Sequence, residues 1–379
     1  MLFYILASSL TFILTFVCMP LAQSQTAPLR EAQELWAPVK EDFVRVSSSQ
    51  VILVDYELVR RDFPHCRSLT EEQIDEWLLK ETSFISYSQA QQEKANTPIA
   101  VTKENRMAYR PAEYRRGAVF VVDGGMLDAK GTGSIDPMPG AHDNGLATLG
   151  EVIREYIFEK MVSRVFQAAG GEFTTVGTYA VIDYGFSVIH EDGSRSRAGY
   201  VLRQAHNRKT PGMVDFATRN LAAFVPPKVA VKIEGILRRF GITTAGANRK
   251  FFPFDLLNVQ GTKNGAVVDF GAFLVMEQFQ RDVKAYTNSY NHHPELVWKS
   301  SDSPQPEKEK QIPFHLWGSS VSGKDDPKAD NLFIWSHELA ESIARGEANR
   351  DSARQHVANF LEPIDKILGS PRRSCSTLL

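Results

Sequence analysis

The sequence predicts a two-lobed α+β fold with a mostly helical C-terminal lobe, and three patterns support this prediction. The apolar run Ala118–Val122 is followed by an Asp-Gly-Gly turn and a second short strand that ends at Lys130. Apolar residues recur at helical spacing from Leu149 to Phe166. The alternating segment Thr174–His190 is joined by a turn to a return strand, Arg197–Arg203. Strands around one long helix therefore form the first lobe.

The remaining patterns divide the chain into five segments. Thr70 is followed three residues later by Gln73, which is a capping-box pattern, and Val51–Val54 is a candidate strand. The segment Val214–Phe240 predicts a helix that is interrupted by Pro226-Pro227, whereas Tyr87–Asn105 is polar and predicts a loop. The predicted segments are a signal peptide or anchor (1–25), an N-terminal helical extension (26–105), an N-lobe (106–210), a C-lobe (211–370) and a disordered tail (371–379).

Composition excludes some classes of partner. The 379 residues include 43 Lys and Arg against 45 Asp and Glu, so net charge gives no reason to expect nucleic acid binding. A hydrophobic content of 43% with 23% charged residues is ordinary for a globular protein.

The N-terminus predicts export. Residues 2–21 are largely apolar without a charged side chain, and Ala22-Gln-Ser24 fits the pattern before a signal-peptide cleavage point. A cleaved signal would place the protein in the periplasm or outside the cell. The alternative is an uncleaved membrane anchor, because the run is long enough to span a bilayer. After cleavage Cys66 and Cys375 remain, and they could pair or stay as separate thiols.

Four residues form the parts of a kinase-like nucleotide site. Lys130 ends a predicted strand, Glu155 lies inside the long predicted helix, and Asn258 precedes an Asp-Phe-Gly sequence that begins at Asp269. The glycines of Lys130-Gly-Thr-Gly follow the lysine, so the sequence is not a P-loop. Asn258 and Asp269 carry the hard oxygen atoms that suit Mg²⁺ or Mn²⁺.

Arginines offer candidate phosphate ligands. Arg203 and Arg208 lie around a strand end, where they would either clamp a terminal phosphate or remain surface charges. A second acidic motif, Asp183-Tyr-Gly, is rejected as a metal site. It lies in the hairpin directly after the long helix and has no preceding Asn in a catalytic-loop position.

These motifs resemble the SelO family. The matching segments are Lys130–Gly133, Gly145–Tyr156, Val201–Ala205 and Gly265–Phe273, and the resemblance covers roughly residues 115–275. Proteins of that family have a protein-kinase-like fold, bind ATP in a flipped orientation and transfer AMP to hydroxyl side chains of proteins.

The resemblance implies a role for each matching residue. Lys130 would be the phosphate-binding lysine, Gly131 and Gly133 would lie against the nucleotide, and Glu155 would orient the lysine. The pair holding the terminal phosphate would be Arg203 and Arg208, and the metal ligands would be Asn258 and Asp269. ATP and Mg²⁺ or Mn²⁺ would be the cofactors, and a protein Ser, Thr or Tyr hydroxyl would be the acceptor.

The sequence also departs from the family. The family has an Asp directly before the metal-binding Asn, where this chain has Leu257, so Asp255 becomes the candidate catalytic base. The spacing between Arg203 and Arg208 is shorter than in the family. The expected reaction is AMP transfer, and the alternatives are γ-phosphoryl transfer by a protein kinase and a non-catalytic, nucleotide-binding pseudokinase.

Overall fold

A computed structural model describes the central region of the chain and parts of both ends. The described residues are 27–39, 43–95, 97–110, 116–134, 144–189, 195–206, 227–239, 242–244, 260–262, 265–275, 339–355, 357–358 and 361. Within these ranges the protein combines helices with a large antiparallel sheet, which agrees with the predicted α+β class. The predicted N-terminal signal or anchor, Arg208, Asp255, Asn258 and Cys375 lie outside the described residues.

Up to residue 275, the described part of the chain has fifteen strands and six α-helices. The strands are β1 (Ala37–Val39), β2 (Phe43–Val46), β3 (Gln50–Val54), β4 (Phe84–Ser86), β5 (Val101–Asn105), β6 (Ala108–Arg110), β7 (Gly117–Val122), β8 (Gly125–Lys130), β9 (Ala147–Thr148), β10 (Thr178–Ile189), β11 (Arg195–Gln204), β12 (Ile242–Thr244), β13 (Gln260–Gly261), β14 (Val267–Val268) and β15 (Phe273–Val275). The helices are α1 (Ala27–Leu35), α2 (Tyr56–Asp62), α3 (Glu71–Thr82), α4 (Gln89–Lys94), α5 (Leu149–Ala168) and α6 (Pro227–Arg239), with 3₁₀ turns at Pro64–Ser68 and Phe270–Ala272.

The main sheet has eight strands in the order β1-β6-β7-β8-β11-β10-β3, with β9 paired to β11. The predicted hairpins are present as β7–β8 and β10–β11. Strands β1 and β3 come from the segment predicted as a helical extension, and β2, β4 and β5 of the same segment form a separate small sheet. The loop predicted over residues 87–105 instead contains α4 and β5. The N-terminal segment is therefore built into the central sheet.

The long predicted helix is confirmed as α5. Its first turn is capped by Thr148, whose hydroxyl accepts the Glu151 N–H at 3.2 Å. Nearly every residue of its first four turns is buried, polar residues included. A helix buried on all sides is enclosed by other elements, here β10, β11, α6 and the turn Phe270–Ala272. Charged groups on this helix therefore lie inside the protein.

The main sheet is covered on both faces. Along β10, Val181 belongs to the cluster packed around α5, whereas Ala180 and Ile182 point into the cluster formed with β2, β4 and α3. This alternation follows from the two-residue period of a strand. Side chains at odd positions near the end of β11, such as Val201, consequently face α5.

The C-terminal segment contacts both α5 and the N-terminal helices. Residues 339–344 and 350–355 are helical, and Leu339, Ile343 and Ala353 belong to the cluster around α5. The Arg350 guanidinium pairs with Asp75 of α3 and donates to the Tyr56 hydroxyl at 2.6 Å. Chain segments far apart in sequence are thus joined.

Cys66 is a free, buried thiol. Burial raises its pKa to about 11, so the thiol stays protonated and unreactive near neutral pH.

Within the described ranges, none of the helices combines the length and the apolar character needed to cross a membrane.

Candidate functional site

The sheet places two charged residues of β8 against α5. Asp128 and Lys130 are two positions apart and face the same side, whereas Leu127 and Ala129 point into the opposite cluster. In the register with β11, Asp128 lies opposite Arg203. The charged side chains of Asp128, Lys130 and Arg203 therefore lie together against α5.

Helix α5 supplies the central carboxylate. Glu155 Oε2 accepts a hydrogen bond from Lys130 Nζ at 2.6 Å, and its side chain is 2% exposed. The other oxygen, Oε1, accepts from Arg203 Nη1 at 2.9 Å. One buried carboxylate is thus shared between two cations, which offsets the cost of burying each charge.

The Asp-Phe-Gly segment brings Asp269 to the same lysine. Asp269 Oδ1 lies 2.7 Å from Lys130 Nζ, although the two residues are 139 positions apart. The structure therefore brings together four residues singled out from the sequence: Lys130, Glu155, Arg203 and Asp269.

The backbone at Asp269 is held in an uncommon conformation. Its φ of 68° is the one positive value at a non-glycine residue in the described part of the chain. Such a conformation costs free energy and persists where the surroundings enforce it. Next to it, Phe270 and Phe273 are buried with ring centroids 5.0 Å apart, and the Arg154 guanidinium donates to the Gly271 carbonyl. These contacts hold the turn that directly follows Asp269.

The ammonium of Lys130 remains charged. Burial by itself lowers the pKa of Lys130, but the carboxylates of Asp269, Glu155 and Glu151 outweigh burial and raise the pKa above its ordinary value. A raised lysine pKa contributes stability that is complete below the ordinary value and is lost only as the pH rises through the raised value. Titration of Lys130 therefore gives the site no pH dependence across the neutral range.

Arg203 lies deeper than a phosphate ligand at a strand end is expected to lie. Its side chain is 4% exposed, and besides Glu155 it contacts Asp128, with Nε at 3.3 Å from Oδ2. Its predicted partner, Arg208, lies outside the described residues. In this conformation Arg203 is engaged by carboxylates within the protein.

The N–H groups of the two glycines after Lys130 donate hydrogen bonds to backbone carbonyls of the protein. The N–H of Gly131 donates to the Arg116 carbonyl at 2.8 Å, and that of Gly133 donates to the Gly145 carbonyl at 3.1 Å. These two N–H groups are therefore not available to a phosphate in this conformation. The contact of Gly131 and Gly133 with a nucleotide stays a prediction. Atoms of these glycines other than the two N–H groups would have to make it.

We expect Gly131→Ala to destabilise the protein strongly. The φ of Gly131 is 101°, and an added Cβ would meet the Ala147 Cβ at 2.7 Å and the Gly199 carbonyl at 3.0 Å. Backbone strain costs about 1–2 kcal/mol, and the overlap adds roughly 1–3 kcal/mol. Urea unfolding followed by circular dichroism measures the loss.

The matched control is Gly170→Ala. Gly170 also has a positive φ, 113°, but an added Cβ there meets nothing within 4 Å. It should show the backbone strain alone. Equal losses of stability in the two variants would mean that the close packing of residue 131 against β9 does not require a glycine.

The sequence did not single out Asp128, Glu151 or His206 as residues of the site. Asp128 and His206 lie side by side, with Nδ1 at 3.3 Å from Oδ2, and Arg116 pairs with Glu151 of α5 at 3.1 Å. The spacing of two between Asp128 and Lys130 was a usable signal, because it puts both on one face of a strand. The pairing of Arg116 with Glu151 depends on tertiary contacts and has no local signal.

The second acidic motif is structural. Asp183 is fully buried, and its carboxylate accepts hydrogen bonds from Arg197 Nε at 2.8 Å, Gln50 Nε2 at 2.8 Å and the Gly185 N–H at 2.8 Å. A carboxylate saturated in this way has no capacity left for a metal ion. The geometry agrees with setting Asp183 aside as a ligand.

One of the two predicted metal ligands lies in the described structure. The Asp269 side chain is 21% exposed, against 8% for Lys130, so it is the side of the site that a solvated cation would approach. Its carboxylate oxygens are the kind of ligand that hard divalent cations take. The donor chemistry therefore fits Mg²⁺ or Mn²⁺, although the described residues contain no cluster of three or more His, Cys, Asp or Glu residues arranged to hold a metal.

Comparison with known proteins leaves the class of the protein open. No protein-family model matches the chain, and a search of the curated proteins finds no match. The argument for function consequently depends on the geometry of the site.

Proposed function

We propose that this protein is an ATP- and metal-dependent transferase with a protein-kinase-like fold, related to the SelO family, that transfers AMP to hydroxyl side chains of proteins. The observation that carries the proposal is the position of the Lys130 ammonium, 2.6 Å from Glu155 and 2.7 Å from Asp269. A strand lysine oriented by a helix glutamate and lying beside a candidate metal-binding aspartate is the arrangement that kinase-like sites use to hold phosphates.

The protein's own residues would bind and orient the triphosphate. Lys130 would place a fixed positive charge against the phosphates, and Glu155 would hold that charge in position. The acceptor hydroxyl oxygen would attack the α-phosphorus as the bond to the bridging oxygen breaks, so that pyrophosphate leaves. The hydroxyl proton would pass to the candidate base Asp255. Charge developing on the pyrophosphate would be stabilised by Lys130.

A divalent cation suits the charge of the site. The Lys130 ammonium lies between two carboxylates, Glu155 and Asp269. The phosphates of a nucleotide placed against Lys130 would be repelled by these carboxylates unless a cation came with them. Asp269, with the predicted ligand Asn258, would hold Mg²⁺ or Mn²⁺, and that ion would neutralise phosphate charge.

Radioactive ATP tests the reaction. The purified protein is incubated with Mg²⁺ or Mn²⁺ and a protein acceptor, itself included, using ATP labelled at either the α- or the γ-phosphate. Transfer of the α-label alone is expected. Transfer of the γ-label alone would instead identify a protein kinase. Loss of the transferred label with Asp269→Asn would assign the activity to this site.

A non-catalytic pseudokinase is the second candidate, and Leu257 favours it. The residue before Asn258 in the SelO family is an Asp, which Leu257 cannot replace as a proton acceptor. Under this alternative the protein binds ATP in a thermal-shift assay with Mg²⁺ or Mn²⁺ but transfers neither label. Absence of binding would contradict both candidates.

A further inference from the structure

We infer that Arg203 is a positioning residue that fixes Glu155, and through it Lys130, and that Asp128 holds Arg203 in place for this task. This inference rests on the proposed function for its role in nucleotide binding. It replaces the role of phosphate ligand that the sequence resemblance gives to Arg203.

The contacts form one continuous chain of alternating charges. Asp128 Oδ2 contacts Arg203 Nε at 3.3 Å, Arg203 Nη1 contacts Glu155 Oε1 at 2.9 Å, and Glu155 Oε2 contacts Lys130 at 2.6 Å. Each of the two Glu155 oxygens therefore has its own cation. A carboxylate held at both oxygens cannot rotate about its last torsion without losing one of these bonds.

Because Asp128, Arg203 and Glu155 are buried, each depends on the others for its ion pairs. The side chains of Arg203 and Asp128 are 4% and 7% exposed, and that of Glu155 is 2% exposed. Water cannot replace a lost partner at such depth, so removal of Arg203 leaves the Oε1 side of Glu155 without a counter-charge. We expect Glu155 to turn away from Lys130, and this change weakens its hold on the lysine.

The register between β8 and β11 holds Arg203 in a fixed position. A positioning residue requires this, whereas a mobile phosphate ligand does not. Asp128 and Arg203 are directly opposite each other on β8 and β11, and Lys130 lies opposite Val201 one step along the same face. The lysine and the arginine are thus held by the same pair of strands. Helix α5 presents Glu155 to both.

The first experiment needs no nucleotide. A crystal structure of Arg203→Gln is expected to show the Glu155 carboxylate beyond hydrogen-bond reach of Lys130, while β8 and β11 keep their register. If that variant does not fold, Asp128→Asn is used, because it retains the arginine and removes only its outer anchor. A Glu155–Lys130 distance unchanged from the present 2.6 Å would overturn the inference.

Binding measurements separate the two roles of Arg203. If Arg203 bound the terminal phosphate, it would favour ATP over ADP. Its loss would then reduce the affinity for ATP and leave the affinity for ADP unchanged. A positioning residue acts on both nucleotides, and Arg203→Gln should weaken ATP and ADP by a similar factor, about 10-fold or more. In a Glu155→Gln background, Arg203→Gln should add little, because both substitutions break the same chain of contacts.

The matched control is Arg197→Gln. Arg197 lies on the same strand and pairs with a buried carboxylate, Asp183, but it is six residues from Arg203, roughly 20 Å along β11. At a temperature where it is folded, this variant should leave the Glu155–Lys130 contact and both affinities unchanged. If the wild type binds neither ATP nor ADP, the proposed function fails, whereas the crystal structure of Arg203→Gln still decides the positioning role.

Discussion

Replacement of Lys130 by Met is expected to weaken metal-dependent ATP binding and to reduce the rate of label transfer at least about 100-fold, the effect on rate of removing one charge-stabilising donor from an active site. The ammonium contacts both Glu155 and Asp269. Its removal takes away the positive charge meant for the phosphates and leaves two carboxylates to repel them. Isothermal titration with ATP and Mg²⁺, together with transfer of the α-label, measures the loss.

The control for this substitution is Lys160→Met. Lys160 lies on α5 with 12% of its side chain exposed, and its ammonium lies 2.6 Å from Asp55 and 3.0 Å from Glu159. Its replacement removes a comparable set of ion pairs away from the site, so it should lower stability while the folded protein still binds ATP. Wild-type ATP affinity in Lys130→Met would mean that these residues do not form a nucleotide site.

Replacement of Arg197 by Met is expected to lower the free energy of unfolding by about 3 kcal/mol, the lower end of the cost of removing one partner from a buried ion pair. Asp183 is fully buried and accepts two hydrogen bonds from Arg197, at 2.8 and 3.1 Å. The remaining bonds from Gln50 and the Gly185 N–H keep the cost from being higher. Urea unfolding followed by tryptophan fluorescence measures it.

A second substitution identifies the cause. Asp183→Asn combined with Arg197→Met removes the buried negative charge together with its partner, so the double variant should be more stable than Arg197→Met alone. A loss below about 1 kcal/mol in the single variant would contradict the assignment of this pair to the core. The two acidic motifs should thus separate cleanly, with Asp183 affecting stability and Asp269 affecting nucleotide binding.

Local patterns predicted the regular elements that bury apolar surface. The helix α5, the hairpins β7–β8 and β10–β11, and the Thr70 capping box were all visible in the sequence, and both hydrogen bonds of that capping box are present. Strand β5 was missed, because all five of its residues are exposed and carry no apolar alternation. Its position depends on pairing with β2, and strand pairing between distant segments cannot be read from either strand alone.

The same limit explains what was predicted of the site. Lys130, Glu155 and Asp269 each belong to a recognisable motif, so their residue types and order were enough to nominate them. The partners of Arg203 could not be obtained in this way, because the register between β8 and β11 decides that it lies opposite Asp128. From the sequence alone, an arginine that binds phosphate and an arginine that holds a glutamate look the same.

The connection between the two ends of the chain has a consequence for biosynthesis. Strand β3 adds to the sheet beside β10, and Arg350 reaches back 275 positions to Asp75. During translation β3 therefore leaves the ribosome long before the strand that completes its backbone hydrogen bonds. A protein with so many distant contacts folds slowly, and until then its unpaired strand is exposed to aggregation. Chaperone supply would therefore govern how much of the newly made chain reaches the native state.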